Sequence, residues 1–169
     1  LGKSVADIRH IIVTHCHPDH AGGAAAIGAR TGAAIYMHPA DAALVRLGQA
    51  KRPMTAAPGI LRTLLFNLFV KRAPGSIPAF NPGRELNDGD TLPLAGGLRV
   101  VHVPGHCAGQ IAVLWPSAGV LFAADACSNQ PGFGLSLGYE DLALGRQSLA
   151  RLSRLDFETA CFGHGQPIT

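Results

Sequence analysis

Hydrophobic and polar positions along the 169-residue chain change their period several times, and each change predicts an element. Ile8 to Thr14 (IRHIIVT) is a short β-branched run and predicts a buried strand. Ala21 to Arg30 is alanine-rich and predicts a helix that closes near Gly32. Ala33 to Met37 predicts a second short strand. Pro39 to Leu47 predicts another helix, with Pro39 at an early position where its missing N–H costs little. From Thr91 the pattern turns β-rich. Strands are predicted near Thr91–Leu94, Leu98–Val103, Ile111–Trp115 and Val120–Ala124, set off by the turn signals Asn87-Asp88-Gly89-Asp90, Ala95-Gly96-Gly97 and Pro116–Gly119. A helix over Tyr139 to Leu155 and a last strand over Thr159 to Phe162 complete the pattern.

Residues 51–84 interrupt it. Pro53, Pro58, Pro74, Pro78 and Pro82 surround one apolar segment, ILRTLLFNLFV. Within it Leu61, Leu64, Leu65, Leu68 and Phe69 recur at helical spacing, with Arg62, Thr63, Asn67 and Lys71 between them. The spacing predicts an inserted helix flanked by loops, inside a single domain of residues 1–169. The simplest role for that helix is packing on the body. The alternatives are a lid that gives an apolar wall to a substrate pocket, or a membrane-surface or partner helix with Lys71 and Arg72 at its polar end. The lid is the expectation carried forward.

Composition narrows the class. A chain of this length is about one domain, and 47% hydrophobic against 15% charged residues suits a globular protein. The net charge of +3 is spread out, with no block of like charges, which argues against a nucleic-acid partner. Cys16, Cys107, Cys127 and Cys161 form no CxxC pair and read as reduced thiols, which favours a cytoplasmic setting. No run of 18 apolar residues exists to span a membrane, and no signal peptide is visible. The sequence begins at Leu1, without an initiator methionine, so its true N-terminus is expected to lie upstream.

The densest chemistry lies just after the first strand, in VTHCHPDHAGG. The pattern is His15-x-His17-x-Asp19-His20. Imidazole nitrogen and carboxylate oxygen are ligands a borderline cation such as Zn²⁺ prefers. Alternate residues of an extended segment point the same way, so His15 and His17 can meet one metal. Asp19 and His20 lie where the chain bends towards a helix and can face a second. Helix capping by Asp19 is the plain alternative, and it leaves the histidines unexplained. Four ligands from one loop cannot complete two sites. His106 in VPGHCAGQ, Asp125 in VLFAADA and His164 in CFGHGQP each stand just past an apolar run, at the rim where active sites gather in sheets with helices outside. Gly105, Gly163 and Gly165 are expected to let backbone crowd close to the metals. His10, His38 and His102 read as structural. Cys16 and Cys107 adjoin candidate ligands with side chains expected to point away, and Cys127, two residues beyond Asp125, reads as a buried free cysteine, with reach into the cavity the lesser alternative.

THCHPDHAGG, PGHCAGQ, FAADA and FGHGQP, in this order, resemble the metallo-β-lactamase superfamily of metal-dependent hydrolases. The likeness covers nearly the whole chain. It implies an α/β fold, a four-layer αββα sandwich with the site at one edge between the sheets, here incomplete at the N-terminal sheet because only about a dozen residues precede the first motif. A homo-oligomer or second chain completing that sheet is the partner this implies. The resemblance also implies that His15, His17 and His106 hold one metal, that Asp19, His20 and His164 hold the other, and that Asp125 bridges them. Two divalent ions, Zn²⁺ first and Fe or Mn as alternatives, would share a water and lower its pKa towards ~7. Asp19 would orient the resulting hydroxide.

Several residues separate branches of that family. Asp125 stands where the common zinc β-lactamases carry a cysteine. His17 stands where the flavin-linked di-iron oxidoreductases have a glutamate. Ser128 stands where the acyl-homoserine lactonases usually place a tyrosine, and no basic tail of the glyoxalase II type is present. The expectation is a dinuclear zinc hydrolase cleaving an ester, lactone, thioester or amide of a small, partly apolar substrate. The alternatives are a mononuclear iron sulfur dioxygenase, a nuclease or phosphodiesterase, and a non-catalytic metal-stabilised fragment.

Overall fold

A computed structural model describes residues 2–130 and 132–169. In chain order the strands are β1 (His10–Ile12), β2 (Ala34–Met37), β3 (Thr55–Ala56), β4 (Arg84–Glu85), β5 (Thr91–Leu92), β6 (Leu98–His102), β7 (Ile111–Trp115), β8 (Val120–Ala124), β9 (Ser128–Asn129), β10 (Phe133–Gly134), β11 (Gly138–Tyr139) and β12 (Thr159–Phe162). The helices are α1 (Pro18–Ala21), α2 (Ala24–Thr31), α3 (Pro39–Val45), α4 (Ile60–Leu65) and α5 (Leu142–Leu152). Helix α4 runs on into a π-helical turn over Phe66–Val70.

Two sheets carry the fold. The smaller has the order β1-β2-β4 and is parallel. The larger has the order β12-β8-β7-β6-β5, antiparallel except where β12 runs parallel to β8. Three apolar clusters fix the stacking. Ala21, Ala24, Ala42 and Val45 of α1 to α3 pack with Ile35 and Met37 of the smaller sheet. Tyr36 from that sheet meets Leu92, Val100 and Ile111 of the larger one, which is the seam between the sheets. Val101, Leu114, Leu121 and Ala123 on the far face pack under Leu149 and Leu152 of α5. The layer order is helices, sheet, sheet, helix, the αββα arrangement of an α/β fold. No helix among the described residues is long and apolar enough to cross a membrane.

Local chemistry explains most element ends. Helix α2 stops at Gly32, whose φ of +68° is the left-handed conformation that closes helices. Asp141 accepts the Leu144 N–H at 3.0 Å and caps α5. That cap corrects the predicted helix over Tyr139 to Leu155. Its first residues are extended instead, because Gly138 and Tyr139 pair with Ala56 and Thr55. The inserted helix also departs from its pattern. Only Phe66 is buried there, while Leu61, Leu64, Leu68 and Phe69 are exposed. The Lys71 N–H donates to Phe66 O, a bond spanning five residues, and that wider turn carries the positions after Leu65 off the stripe that a regular helix would present.

Candidate metal centre

All seven candidate residues meet where the strand ends converge. His15 and His17 follow β1 on an extended segment, and α1 then turns Asp19 and His20 towards them. His106 follows β6, Asp125 stands directly after β8 and His164 two residues past β12. His15 Nε2 lies 3.1 Å from His17 Nδ1, which is 3.0 Å from His106 Nε2. His20 Nε2 is 3.6 Å from Asp19 Oδ2 and 3.5 Å from Asp125 Oδ1. His164 Nε2 is 3.2 Å from Asp19 Oδ2 and 3.3 Å from Asp125 Oδ2. Asp125 Oδ2 is also 3.6 Å from His106 Nε2, so this one carboxylate reaches both halves.

The outer nitrogens show which inner ones carry lone pairs. His106 Nδ1 donates to the Gly138 carbonyl at 2.7 Å. His15 Nδ1 is 3.2 Å from the Thr14 hydroxyl, and His17 Nε2 is 3.3 Å from Cys107 Sγ. With its proton held on the outside, each ring turns an unprotonated nitrogen inward, the way outer partners orient metal-ligating histidines. Burial, followed by the neighbouring imidazoles, holds His15 well below the usual histidine range. Burial likewise lowers His106, and it takes His17 to about 4. Three neutral rings with lone pairs about 3 Å apart repel one another unless a cation lies among them.

The other half carries charge. Hydrogen bonds to Asp125 and Asp19 push His164 up to about 10, and the same bond lowers Asp19. Burial pushes the Asp125 carboxyl up, but the His164 contact and the nearby His20, His106 and His15 rings outweigh it and hold the group well below the carboxylate range. His20 Nε2 and Asp125 Oδ1 are buried with no hydrogen-bond partner. Unpaired buried polar atoms are costly, and two facing each other here fit a cation. The donors are nitrogen and carboxylate oxygen, a set suited to divalent transition metals.

Some expectations need correcting. Cys107 lies against the outer nitrogen of His17, so it does not simply point away. Cys127 is a buried free thiol, as expected, in the cluster under α5 and not among the cavity-lining residues. Of the three glycines, only Gly163 crowds the centre. A Cβ on Gly105 would meet the Gly145 backbone, and one on Gly165 the Asn129 backbone. His10, His38 and His102 lie elsewhere, His10 against the Tyr36 hydroxyl and the other two stacked on each other. Nearby, Cys16, Asp41 and Cys107 form another cluster of potential donors. Its carboxylate is already saturated by two backbone N–H groups and Arg52.

The strand end that delivers Asp125 is strained. Ala124 has φ +49°, uncommon for alanine, and the β12–β8 register slips between Cys161 and Phe162. The kink turns Asp125 inward, and the Ser136 hydroxyl donates to its carbonyl at 2.9 Å. Sequence patterning did not single out Ser136, Gly138 or Tyr139, although the buried Tyr139 hydroxyl ties Ser136 to Ala126.

A cavity of about 560 Å³ opens onto these side chains. His17, Asp19, His106, Asp125 and His164 form its floor. The inserted segment contributes Met54, Leu65, Phe69 and Val70 to the lining, together with Ser128, Gln130 and Leu137.

The sequence profile of the Metallo-beta-lactamase superfamily matches residues 1–164. Hydroxyacylglutathione hydrolase of Rhodobacter capsulatus is 30% identical over 159 residues, covering 93% of this chain and 48% of that protein. The chain thus spans about half the length of this curated relative. A metallo-beta-lactamase family protein of Thermus thermophilus, TTHA1429, is 29% identical with a TM-score of 0.69, over 99% of this chain and 58% of that one. The structure of TTHA1623 in a di-iron-bound form is 26% identical with a TM-score of 0.63, over 95% of this chain and 71% of that one.

Proposed function

The chain belongs to the metallo-beta-lactamase superfamily, and from that premise we propose that it is a hydrolase with two divalent metal ions, cleaving an ester, lactone, thioester or amide of a small, partly apolar substrate. The observation that carries this is the meeting of three inward imidazole nitrogens with a second cluster of carboxylate and imidazole, sharing Asp125, at the floor of one cavity. His15, His17 and His106 would hold one ion, Asp19, His20 and His164 the other, and Asp125 both. When bound, the ions supply Lewis acidity and a solvent nucleophile active at neutral pH.

The chain's own groups do the rest. Asp19 is more than half exposed and lines the cavity, so it can take a proton from the attacking water and orient it. The insert excludes water from one side and offers apolar surface to the substrate. Zinc suits the donors, and iron remains the alternative metal, as in the di-iron form of TTHA1623.

Metal analysis and turnover of chromogenic esters and lactones by the full-length protein test the reading. About two zinc per chain with metal-dependent hydrolysis is the expected result. One iron with oxygen consumption would replace it by a sulfur dioxygenase. Loading is expected to be stepwise. Burial lowers all three histidines of one half, His17 to about 4, so the first equivalent is expected to bind with weak pH dependence near neutral pH. The second must displace the His164 proton, so its affinity rises about tenfold per pH unit from pH 7 towards 10. Titration calorimetry in buffers of different ionisation heat reads that proton directly.

Truncating the apolar wall tests the lid. Leu65→Ala with Phe69→Ala removes apolar contacts worth about 1–3 kcal/mol. Long-chain ester hydrolysis is expected to lose about tenfold more kcat/KM than acetate ester hydrolysis. Equal loss for both would remove the lid and leave the metal reading standing.

A further inference from the structure

Next to the donor cluster, one buried carboxylate holds backbone from both of its main loops. Asp41, in the first turn of α3, is 0% exposed. Its Oδ2 accepts the N–H of Cys16, the residue between His15 and His17, at 2.9 Å. Its Oδ1 accepts the N–H of Gly109, three residues past His106, at 3.1 Å. Arg52 Nη1 donates to the same Oδ1 at 2.7 Å and to Glu140 Oε1 at 3.3 Å. Glu140 Oε2 in turn accepts the N–H of Ala108 at 2.8 Å, and its own N–H donates to the His106 carbonyl at 3.2 Å. Two carboxylates bridged by one guanidinium therefore fasten both histidine-bearing loops.

These bonds are charge-assisted, roughly twice as strong as neutral ones. Arg52 balances the buried charge, without which Asp41 would be costly. The packing allows no slack. A Cβ on Gly109 would lie 2.5 Å from Asp41 Cγ, so only glycine lets that loop reach the carboxylate. His17 and His106 are 89 residues apart in sequence, yet their inner nitrogens are 3.0 Å apart. We propose that Asp41 is a positioning residue of the metal centre: it sets the spacing of the His15–His17 loop against the His106 loop, and Arg52 from the inserted segment locks it in place. The inference rests on the metal-centre reading above. It also ties the insert to the centre, since Arg52 lies between Lys51 and the cavity-lining Met54.

Asp41→Asn keeps the shape of the side chain but turns an NH₂ group towards one of the two N–H donors, releasing one loop. Titration of the purified full-length protein with Co²⁺, followed by the visible absorption of the bound ion, reads the result. Affinity is expected to fall about 10–100-fold, the range for loss of an outer partner of a metal ligand. The spectrum of the bound ion is expected to change as the three nitrogens spread. Arg52→Gln leaves both N–H bonds of Asp41 intact and is expected to lose less affinity, in the same direction. It supplies the measurement if Asp41→Asn does not fold. Glu85→Gln, which breaks the exposed Arg46–Glu85 pair, is expected to leave affinity and spectrum unchanged. Wild-type affinity and spectrum in Asp41→Asn, or in Arg52→Gln where that variant alone folds, would overturn the proposal and leave a merely structural ion cluster. A wild-type protein that binds no Co²⁺ would overturn the metal-centre reading, and this inference with it.

Discussion

Asp125→Asn is expected to lower hydrolysis by about 10³-fold, with little change in KM. Asp125 is 4% exposed and is within reach of both halves of the centre. Asparagine has the same outline but no charge, and its NH₂ group offers no lone pair to an ion. On the two-ion reading, losing the shared ligand would forfeit several kcal/mol of transition-state charge stabilisation, which is about three decades in rate. The backbone of this turn is held independently by the Ser136 hydroxyl, so the fold is expected to survive. The apolar wall is untouched, which is why KM should hold. Steady-state kinetics with metal analysis of the same preparation check this. Two metals per chain and wild-type turnover in Asp125→Asn would remove the shared-carboxylate arrangement.

What sequence could show here depends on range. His15, His17, Asp19 and His20 are legible because their geometry is local: an extended pair, then one turn of helix. His106, Asp125 and His164 are legible as polar residues that end apolar runs, and the spatial meeting of strand ends is a general property of such sheets. The supports of the site obey no period. Asp41 reads as an ordinary first-turn acid of a helix, and nothing in its neighbours reveals that its partners are Cys16, Gly109 and Arg52. Strands β3 and β11 are two residues each, too short for alternation to register. Their pairing moves the start of α5 and brings the Gly138 carbonyl to His106. The π turn of the insert is invisible for a similar reason, since one additional residue per turn leaves composition unchanged. Glycines mislead in the same way. Gly105, Gly163 and Gly165 all adjoin candidate ligands, but what each excludes is decided by distant backbone.

Gly163→Ala follows from that last point and is expected to come within about tenfold of the loss from Asp125→Asn. A Cβ at this position would overlap Asp125 Oδ1 and lie 2.7 Å from His20 Cε1. Gly163 is not among the residues with positive φ, so alanine meets no backbone penalty and the effect comes from space alone. The main chain cannot retreat. The Gly163 N–H donates to the Ala124 carbonyl at 3.0 Å, and Phe162 is paired opposite Ala124 in the β12–β8 ladder. Ala124 is already in a strained conformation, so a further twist that would carry Asp125 away is resisted. The methyl group must therefore displace the carboxylate, the His20 ring, or both, by about 1 Å or more. Misplacement on that scale costs about 10²-fold in rate, and overpacking costs about 1–3 kcal/mol of stability, or roughly 2–10 °C in melting temperature. The variant is expected to fold, to bind the first metal equivalent and to fail at the second. Such a result would separate it from Asp125→Asn, because the charge at the centre is intact and only its place has changed. Full metal occupancy and full turnover in Gly163→Ala would show that Asp125 and His20 need not stand where this geometry puts them.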